Sequence, residues 1–318
     1  MKKFFLAGAA FLLFAASLGC QMFSGFTDDE VSGAAEEAAG FFRGDSVNTE
    51  ARASAEAAGE QSSNDALAEG IAAIVAGDAT EYAVYIDYPQ EGNSEYVYNS
   101  HAMRSASMIK VFILGAAMEK VRAGELSLSQ NLTLSDCDKV GGAGVLGGYA
   151  SGTELTLSEV LSLMITESDN TATNMVIDLL GMAAINAYIQ QNGYGDTLLQ
   201  RKMMDGAAIA EGRENYTSAA DLGHFFQRVY HHVCVGAGED EIMLSYLRGQ
   251  KDTECFPAAL PSAVIAHKTG ELVGLYDDGG IIYTGTRDVI LVVMTENYSG
   301  RDRAIGTIRE IARYAAAY

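Results

Sequence analysis

The sequence predicts an α+β fold, in which helices flank a five-stranded antiparallel sheet and an all-helical lobe is inserted between the strands. Two observations support this prediction. Segments rich in β-branched and aromatic residues lie near the two ends of the domain, two of them early and three late. The residues between them follow a helical period. A sheet built from both ends must bring those ends together, so the intervening helices form a second lobe.

The first predicted elements are a helix and a hairpin. Apolar residues at helical spacing predict a helix from Asp65 to Ala76. Runs from Glu81 to Tyr88 and from Ser94 to Asn99, separated by a turn, predict the two strands of the hairpin. The helix that follows is apolar on nearly every side and ends at Gly124. That pattern is typical of a helix buried at the centre of a domain.

The middle of the chain is predicted to be helical. Thr156 and Glu159 form a capping box that opens one helix. Periodic apolar residues predict further helices over residues 171–180, 182–192, 218–232 and 239–249. Three strands, separated by Gly and Asp turns, and a final helix are predicted over residues 263–269, 279–285, 288–295 and 301–314.

Residues 1–20 are typical of an export signal, because two lysines precede an apolar run that is followed by small residues. The run is too short to span a bilayer, which needs about 20 apolar residues. Leu18-Gly19-Cys20 resembles a bacterial lipoprotein cleavage site, although Ser17 stands where that pattern usually has its leucine. We therefore expect an extracytoplasmic protein, either anchored to the membrane only through a lipid on Cys20 or secreted.

An acidic, low-complexity tether is predicted over residues 21–65, because this stretch is rich in Ala, Glu, Gly and Ser and has little hydrophobic periodicity. The folded domain is then predicted to cover residues 66–318. The net charge of −21 argues against nucleic acid as a partner, since nucleic acid is bound by clustered Lys and Arg.

Three of the four cysteines lie within the predicted domain. An oxidising compartment favours a disulfide. Cys234 and Cys255 flank a predicted helix and are the preferred pair, which leaves Cys137 free. The cysteines and histidines do not have the spacing of a metal site, so no metal is predicted.

Ser107 and Lys110 lie three residues apart at the start of the central helix. Residues at this spacing share one face of a helix, so the hydroxyl and the amine are predicted to meet. A serine needs a neighbouring base to act as a nucleophile, and a buried lysine can serve because desolvation favours its neutral form. The pair therefore predicts an activated serine beside the N–H groups of a helix N-terminus.

Two further polar clusters follow. Ser168-Asp169-Asn170 occupies the break between two predicted helices, where it could also serve simply as an N-cap. His267-Lys268-Thr269-Gly270 ends a predicted strand, where Lys268 supplies a cation and Gly270 permits a close approach of backbone or substrate. Ligands usually bind in a cleft between lobes, so we expect these clusters to converge there.

In this order, Ser-x-x-Lys, Ser-Asp-Asn and Lys-Thr-Gly resemble the motifs of class A β-lactamases and penicillin-binding proteins. The resemblance covers roughly residues 66–318 and implies a two-lobed, β-lactamase/transpeptidase-like fold without metal or cofactor. It implies these roles: Ser107 as nucleophile, Lys110 as its base, Ser168 as proton shuttle to the leaving nitrogen, Asn170 as partner of the substrate amide, Lys268 and Thr269 as the substrate-carboxylate site beside Gly270, and the N–H groups of Ser107 and Glu271 as the oxyanion hole.

The chain departs from that family in two places. Class A enzymes usually carry a deacylating glutamate in a loop after the helical lobe, and Met203 stands at the corresponding position. Three acids could replace it: Asp205, which is the nearest and is predicted as the base, Glu211 and Glu214. The family's usual arginine beyond the Lys-Thr-Gly motif is also absent, since Asp277 and Asp278 occupy that neighbourhood.

The predicted function is hydrolysis of the β-lactam amide through an acyl-enzyme on Ser107. Two alternatives stay open: a D-Ala-D-Ala carboxypeptidase of the cell wall, and a penicillin-binding sensor that acylates without turnover. The missing glutamate is the reason to consider the sensor. The partner is accordingly a small-molecule β-lactam or a cell-wall peptide, and the protein is expected to be a monomer.

Overall fold

The computed structural model describes residues 65–77, 79–91 and 95–318. The predicted export signal, its Cys20 and nearly all of the predicted tether lie outside the described residues. The extracytoplasmic location and the lipid anchor therefore stay predictions.

A five-stranded antiparallel sheet lies at the centre of the fold, with its strands in the order β2-β1-β9-β8-β7. These strands are β1 (Glu81–Asp87), β2 (Tyr96–Tyr98), β7 (Val264–Leu272), β8 (Leu275–Tyr283) and β9 (Val289–Glu296). Because β1 pairs with both β2 and β9, the early hairpin and the late strands join in one sheet. The predicted fold class is confirmed.

Helices pack on both faces of this sheet and on one another. They are α1 (residues 65–75), α2 (Lys110–Arg122), α3 (Leu157–Thr166), α4 (Asn170–Leu180), α5 (Met182–Gln191), α6 (Gly206–Ala210), α7 (Ala219–Tyr230), α8 (Ala237–Arg248), α9 (Phe256–Ala259) and α10 (Arg301–Ala317). Short strands pair in the connections: β3 (Met103–Arg104) with β6 (Tyr216–Thr217), and β4 (Asn131–Thr133) with β5 (Glu154–Thr156). The predicted capping box at the start of α3 is present.

The sheet separates two hydrophobic clusters. Along β1, Tyr85 belongs to the cluster around α2, whereas its neighbour Val84 belongs to the cluster that includes α1, α9 and α10. This alternation is the period of a strand that is covered on both faces. In α2, residues 111–114 are each 0% exposed, which confirms the predicted central helix.

The start of β8 differs from the sequence prediction. The sequence predicts that this strand begins at Gly279, but Asp277 and Asp278 also lie inside β8, opposite Gly270 and Thr269 of β7. Asp278 Oδ1 lies 2.8 Å from Nδ1 of His267, and its Oδ2 accepts a hydrogen bond from a backbone N–H. Such partners come from distant segments, so the local sequence pattern cannot reveal them.

The predicted disulfide between Cys234 and Cys255 is wrong. Cys234 and Cys255 are buried free thiols, and Cys137 is an exposed one. Cys234 belongs to the cluster around α2 and Cys255 to the cluster with α9 and α10, so the sheet lies between them. Flanking the same helix in sequence does not bring two cysteines to the same face of a sheet.

The helix α1 marks where the stable fold is expected to begin. Leu67 and Ile71 of α1 are 1% and 0% exposed, and burial of one such side chain contributes about 1.5–3 kcal/mol. A protein that starts at Asn64 is therefore expected to keep its melting temperature in thermal unfolding. A matched protein that starts at Gly77 lacks α1 and is expected to melt at a lower temperature. Loss of cooperative melting in the longer protein would place the boundary before Asn64.

Candidate active site

Ser107 lies in a 3-10 turn, Ala106–Ile109, that leads directly into α2. Ala106 has φ +42°, in the left-handed region that costs a non-glycine residue energy. Strained backbone of this kind is concentrated at functional sites. The half-buried Ser107 is therefore held at the N-terminal end of α2, as the sequence predicted.

The amine of Lys110 is buried beneath this turn, and the residue is 0% exposed. Nζ donates hydrogen bonds to the carbonyl oxygen of Ser168 (2.6 Å), to its Oγ (3.1 Å) and to Oδ1 of Asn170 (2.9 Å). Burial lowers the pKa of Lys110 well below its ordinary value, and the charge of Lys268 lowers it further. A neutral amine carries a lone pair, so Lys110 can accept a proton.

No hydrogen bond joins the side chains of Ser107 and Lys110 among the described residues. A charged lysine has three N–H donors, and those of Lys110 are directed to Ser168 and Asn170. Loss of one proton would free a lone pair for the Ser107 hydroxyl. The role of Lys110 as the base of Ser107 therefore stays a prediction.

The hydroxyl of Ser168 bridges two lysines. Its Oγ accepts hydrogen bonds from Lys110 Nζ (3.1 Å) and from Lys268 Nζ (3.0 Å). Since both amines donate to this oxygen, its own O–H can point to a third group, as a proton shuttle requires. Ser168 has φ +52°, so it is a second strained position at the site.

Asp169 fixes the corner that carries Ser168. Its buried carboxylate caps α4 by accepting a hydrogen bond from the backbone N–H of Ala172 (2.9 Å). The other oxygen accepts from the N–H groups of Val145 and Leu146 (2.6 and 2.8 Å). Asp169 is thus the N-cap of this motif, which leaves Ser168 available for chemistry.

Lys268 lies on β7 and is also 0% exposed. Besides Ser168, its Nζ donates to the carbonyl oxygen of Thr269 (2.7 Å). Burial lowers the pKa of Lys268 to about 7, although the carboxylates of Asp252 and Asp278 act in the opposite direction. Lys268 therefore changes its charge near neutral pH.

Gly270 brings β7 against the nucleophile turn. A methyl group on this residue would lie 3.1 Å from Cγ of Met108 and 3.2 Å from Cβ of Ala106, so a larger residue would push the two segments apart. The side chain of Glu271 points to the surface, where it pairs with Arg301 (Nε to Oε1, 2.7 Å). Its backbone N–H is the group that the sequence assigned to the oxyanion hole.

The two side chains predicted to bind substrate are engaged within the protein. Asn170 accepts from Lys110 and donates through Nδ2 to the carbonyl oxygen of Gly141 (3.1 Å). Thr269 is 6% exposed, and its side chain lies near enough to Asp252 to lower the pKa of that carboxyl. Both residues thus shape the site, and their contacts with substrate stay predictions.

Asp205 caps α6, because its Oδ1 accepts a hydrogen bond from the N–H of Ala208 (3.0 Å). Two residues before Asp205, Met203 is held by Asn174 of α4. The N–H of Met203 donates to Asn174 Oδ1 (2.8 Å), and Asn174 Nδ2 donates to the carbonyl oxygen of Met203 (3.1 Å). Met203 and Asp205 line a groove of about 190 Å³ that also contains Cys137. The loop therefore packs on the helix that begins at Asn170.

The other two candidate acids have cationic partners. Glu211 pairs with Arg213 on the exposed surface, and Glu214 pairs with the buried Arg201. Within the described residues, Asp205 has no such partner. Of the three acids, Asp205 is the one whose charge is not already balanced by a neighbouring cation.

Within residues 65–77, 79–91 and 95–318, no cluster of three or more His, Cys, Asp or Glu side chains could hold a metal ion. In the same ranges, no single helix is long and apolar enough to cross a membrane, and only α4 and α5 together, bent by 85°, reach that length and composition.

What the site offers is a hydroxyl at a strained turn and two amines that share a second hydroxyl. This set of groups suits the transfer of an acyl group with accompanying proton transfers.

Comparison with known proteins points in the same direction. The sequence pattern of the Beta-lactamase enzyme family matches residues 66–318. A curated relative, Beta-lactamase AER-1 of Aeromonas hydrophila, is 27% identical over 188 residues, which are 58% of this chain and 59% of that protein. The match thus spans less than two thirds of that relative's length.

Two solved proteins share the fold over most of the chain. A β-lactamase from Sphaerobacter thermophilus is 31% identical with a TM-score of 0.72, covering 79% of this chain and 95% of that one. PBP-A is 27% identical with a TM-score of 0.72, again over 79% and 95% of the two chains. A mutant of PBP-A, 25% identical with a TM-score of 0.69 over 81% and 95% of the chains, was solved as an acyl-enzyme complex with penicillin G.

Proposed function

The chain belongs to the Beta-lactamase enzyme family, and from that premise we propose that it is a class A-type serine hydrolase that opens β-lactam amides through an acyl-enzyme on Ser107. The observation that carries this proposal is the pair of buried amines, Lys110 and Lys268, that donate to the same hydroxyl of Ser168 at 3.1 and 3.0 Å. Two lysines with lowered pKa values beside one serine hydroxyl support proton transfer at neutral pH.

Acylation would begin when neutral Lys110 takes the proton of Ser107. The Ser107 oxygen then forms a bond with the lactam carbonyl carbon, and the carbon–nitrogen bond of the ring breaks. Ser168 passes its proton to the leaving nitrogen, and charged Lys110 returns a proton to Ser168 across their hydrogen bond. The backbone N–H groups of Ser107 and Glu271 would bind the carbonyl oxygen, and one such donor contributes about 3–4 kcal/mol in the transition state.

Deacylation needs a water molecule and a base. We assign the base to Asp205, which has no cationic partner among the described residues. One of its oxygens is already engaged in capping α6, so only the other oxygen is available to orient and deprotonate the water. The proposed turnover is therefore slow.

A second candidate function is acylation without efficient turnover, as in a penicillin-binding sensor or a D-Ala-D-Ala carboxypeptidase. Met203, at the position of the usual glutamate, is only 6% exposed and supplies no base. Two charged groups shift the pKa of Lys110: Lys268 lowers it and Asp169 raises it. An acyl-enzyme formed in such a site would persist unless Asp205 supplies the base.

The proposed substrates also agree with the predicted location. Cell-wall peptides lie outside the cytoplasmic membrane, and the export signal predicted for residues 1–20 would bring the protein there. A lipid on Cys20 would then keep it at the membrane. These two features remain proposals that rest on the sequence.

A progress curve with a chromogenic cephalosporin tests the proposed function. We expect slow, continuous hydrolysis after an initial burst. A burst that stalls after one equivalent favours the second candidate, and an assay with a D-Ala-D-Ala peptide then separates carboxypeptidase from sensor. If the cephalosporin neither reacts nor labels the protein, the proposed function is wrong.

The charge of Lys268 is expected to control the preference for anionic substrates. With a pKa of about 7, the amine attracts a substrate carboxylate below pH 7 and loses its charge above it. The acylation rate of a penicillin relative to that of its methyl ester should therefore fall between about pH 6 and about pH 8. Lys268→Met should have a low ratio at every pH, whereas Lys139→Met, at a surface ion pair, should keep the wild-type profile. A wild-type ratio that does not change with pH would contradict the assignment.

A further inference from the structure

Asp277 of β8 has one carboxyl oxygen without a partner. The residue is 0% exposed. Its Oδ1 accepts a hydrogen bond from the backbone N–H of Thr295 at 2.9 Å, whereas Oδ2 makes no hydrogen bond within the part of the chain that the structure describes. Buried polar atoms are nearly always hydrogen-bonded, so this oxygen requires an explanation.

The unpartnered oxygen lies behind the proposed oxyanion hole. Asp277 pairs with Gly270 across the two strands, and a methyl group on Gly270 would lie 3.2 Å from Asp277 Oδ2 and 3.2 Å from Cβ of Ala106. Ala106 and Gly270 directly precede Ser107 and Glu271. The Glu271 peptide unit therefore starts at a residue beside Asp277, and the Ser107 unit starts at Ala106, which packs against that same Gly270.

The surroundings of Asp277 favour its uncharged form. Burial raises the pKa of its carboxyl well above the ordinary value. The hydrogen bond from Thr295 lowers this pKa, whereas the charge of Glu296 on β9 raises it further. Arg104 on β3 opposes this effect, and Asp278 on β8 adds to it. Arg104 is itself paired with Glu296, and the nearby Glu271 on β7 is paired with Arg301.

We propose that Asp277 is a positioning residue of the oxyanion hole, held as a neutral carboxylic acid, and that its ionisation slows acylation of Ser107. A negative charge on Oδ2 would oppose the charge that develops on the substrate carbonyl oxygen, and low polarity in the core would strengthen this repulsion. A neutral carboxylic acid occupies the same space behind the Ala106–Ile109 turn but does not repel the developing charge. This inference rests on the proposed function, because it concerns the same acylation step.

The test compares acylation by a fluorescent penicillin between about pH 6 and about pH 10 in four full-length proteins: wild type, Glu296→Gln, Asp277→Asn and the double variant. Glu296→Gln removes a negative neighbour and frees the charge of Arg104, so Asp277 should ionise at a lower pH. We expect Glu296→Gln to lose at least about tenfold in rate relative to wild type at alkaline pH, since one pKa unit is a tenfold change in protonation. The double variant cannot ionise at position 277 and should regain that loss.

The outcomes separate the explanations. Equal alkaline losses in Glu296→Gln and in the double variant would show that Glu296 acts structurally, and the inference would fail. A Glu296→Gln profile identical to that of wild type would also overturn it, and this comparison needs no substitution of the buried Asp277. Glu254→Gln, which breaks an exposed ion pair with Arg301, is the control and should follow wild type. If wild type itself is never labelled, the proposed function fails as well.

Discussion

Replacing Lys110 with alanine is expected to slow covalent labelling by a penicillin about 1000-fold, within the range that a positioned general base contributes. Lys110 is fully buried, and its lowered pKa leaves it able to take the proton of Ser107. Its amine also supports Ser168 and Asn170 through three hydrogen bonds. Stopped-flow labelling with a fluorescent penicillin measures the loss, and far-ultraviolet circular dichroism confirms that the variant is folded.

Lys120→Ala is the matched control for this variant. Lys120 lies on the same helix but pairs with Glu125 at the surface (2.8 Å), so its loss should leave labelling unchanged. Lys110→Ala and Ser107→Ala should not be additive, because the two residues act as one unit. Labelling of Lys110→Ala at the wild-type rate would assign the base to another group.

Asp205→Asn is expected to slow deacylation about 100-fold or more while acylation continues. Asparagine is as good an N-cap as aspartate, so α6 should keep its cap and the protein its stability. The variant therefore removes the carboxylate as a base and little else. The expected result is a stoichiometric burst with a chromogenic cephalosporin, with the acyl-enzyme visible by intact mass.

Glu211→Gln controls for the removal of an acid from the same loop. Glu211 is exposed and pairs with Arg213, so its replacement should leave the steady-state rate unchanged. An Asp205→Asn protein that hydrolyses the cephalosporin at the wild-type rate would exclude Asp205 as the base. If wild type already stalls after one burst, the sensor or the carboxypeptidase is the better account.

The central helix and the sheet could be predicted because their signals are local. Residues 111–114 are apolar at consecutive positions, as expected of a helix buried on all sides, and the structure buries each of them. The strands β1 and β9 show the runs expected of strands covered on both faces. The Ser168-Asp169-Asn170 and His267-Lys268-Thr269-Gly270 clusters were found in the same way, since the first interrupts a helical pattern and the second ends a strand.

What could not be predicted depends on contacts between distant residues. Spacing places Ser107 and Lys110 on one face of a helix, but it does not show that Ser168, far along the chain, takes up the amine. Asp277 resembles a turn residue until the backbone N–H of Thr295 is found beside it. Likewise, no local signal shows that Asp205 caps α6. The sequence identified the groups of the site, and their mutual contacts required the fold.

The most direct test of the account is intact-mass analysis of the protein after incubation with penicillin, followed by peptide mapping of the adduct. The account predicts one penicillin per chain, attached to Ser107 and absent from Ser107→Ala. Ser129→Ala, which changes an exposed serine, should carry the same adduct as wild type. An adduct that persists in Ser107→Ala, or one that maps to a different residue, would contradict the account.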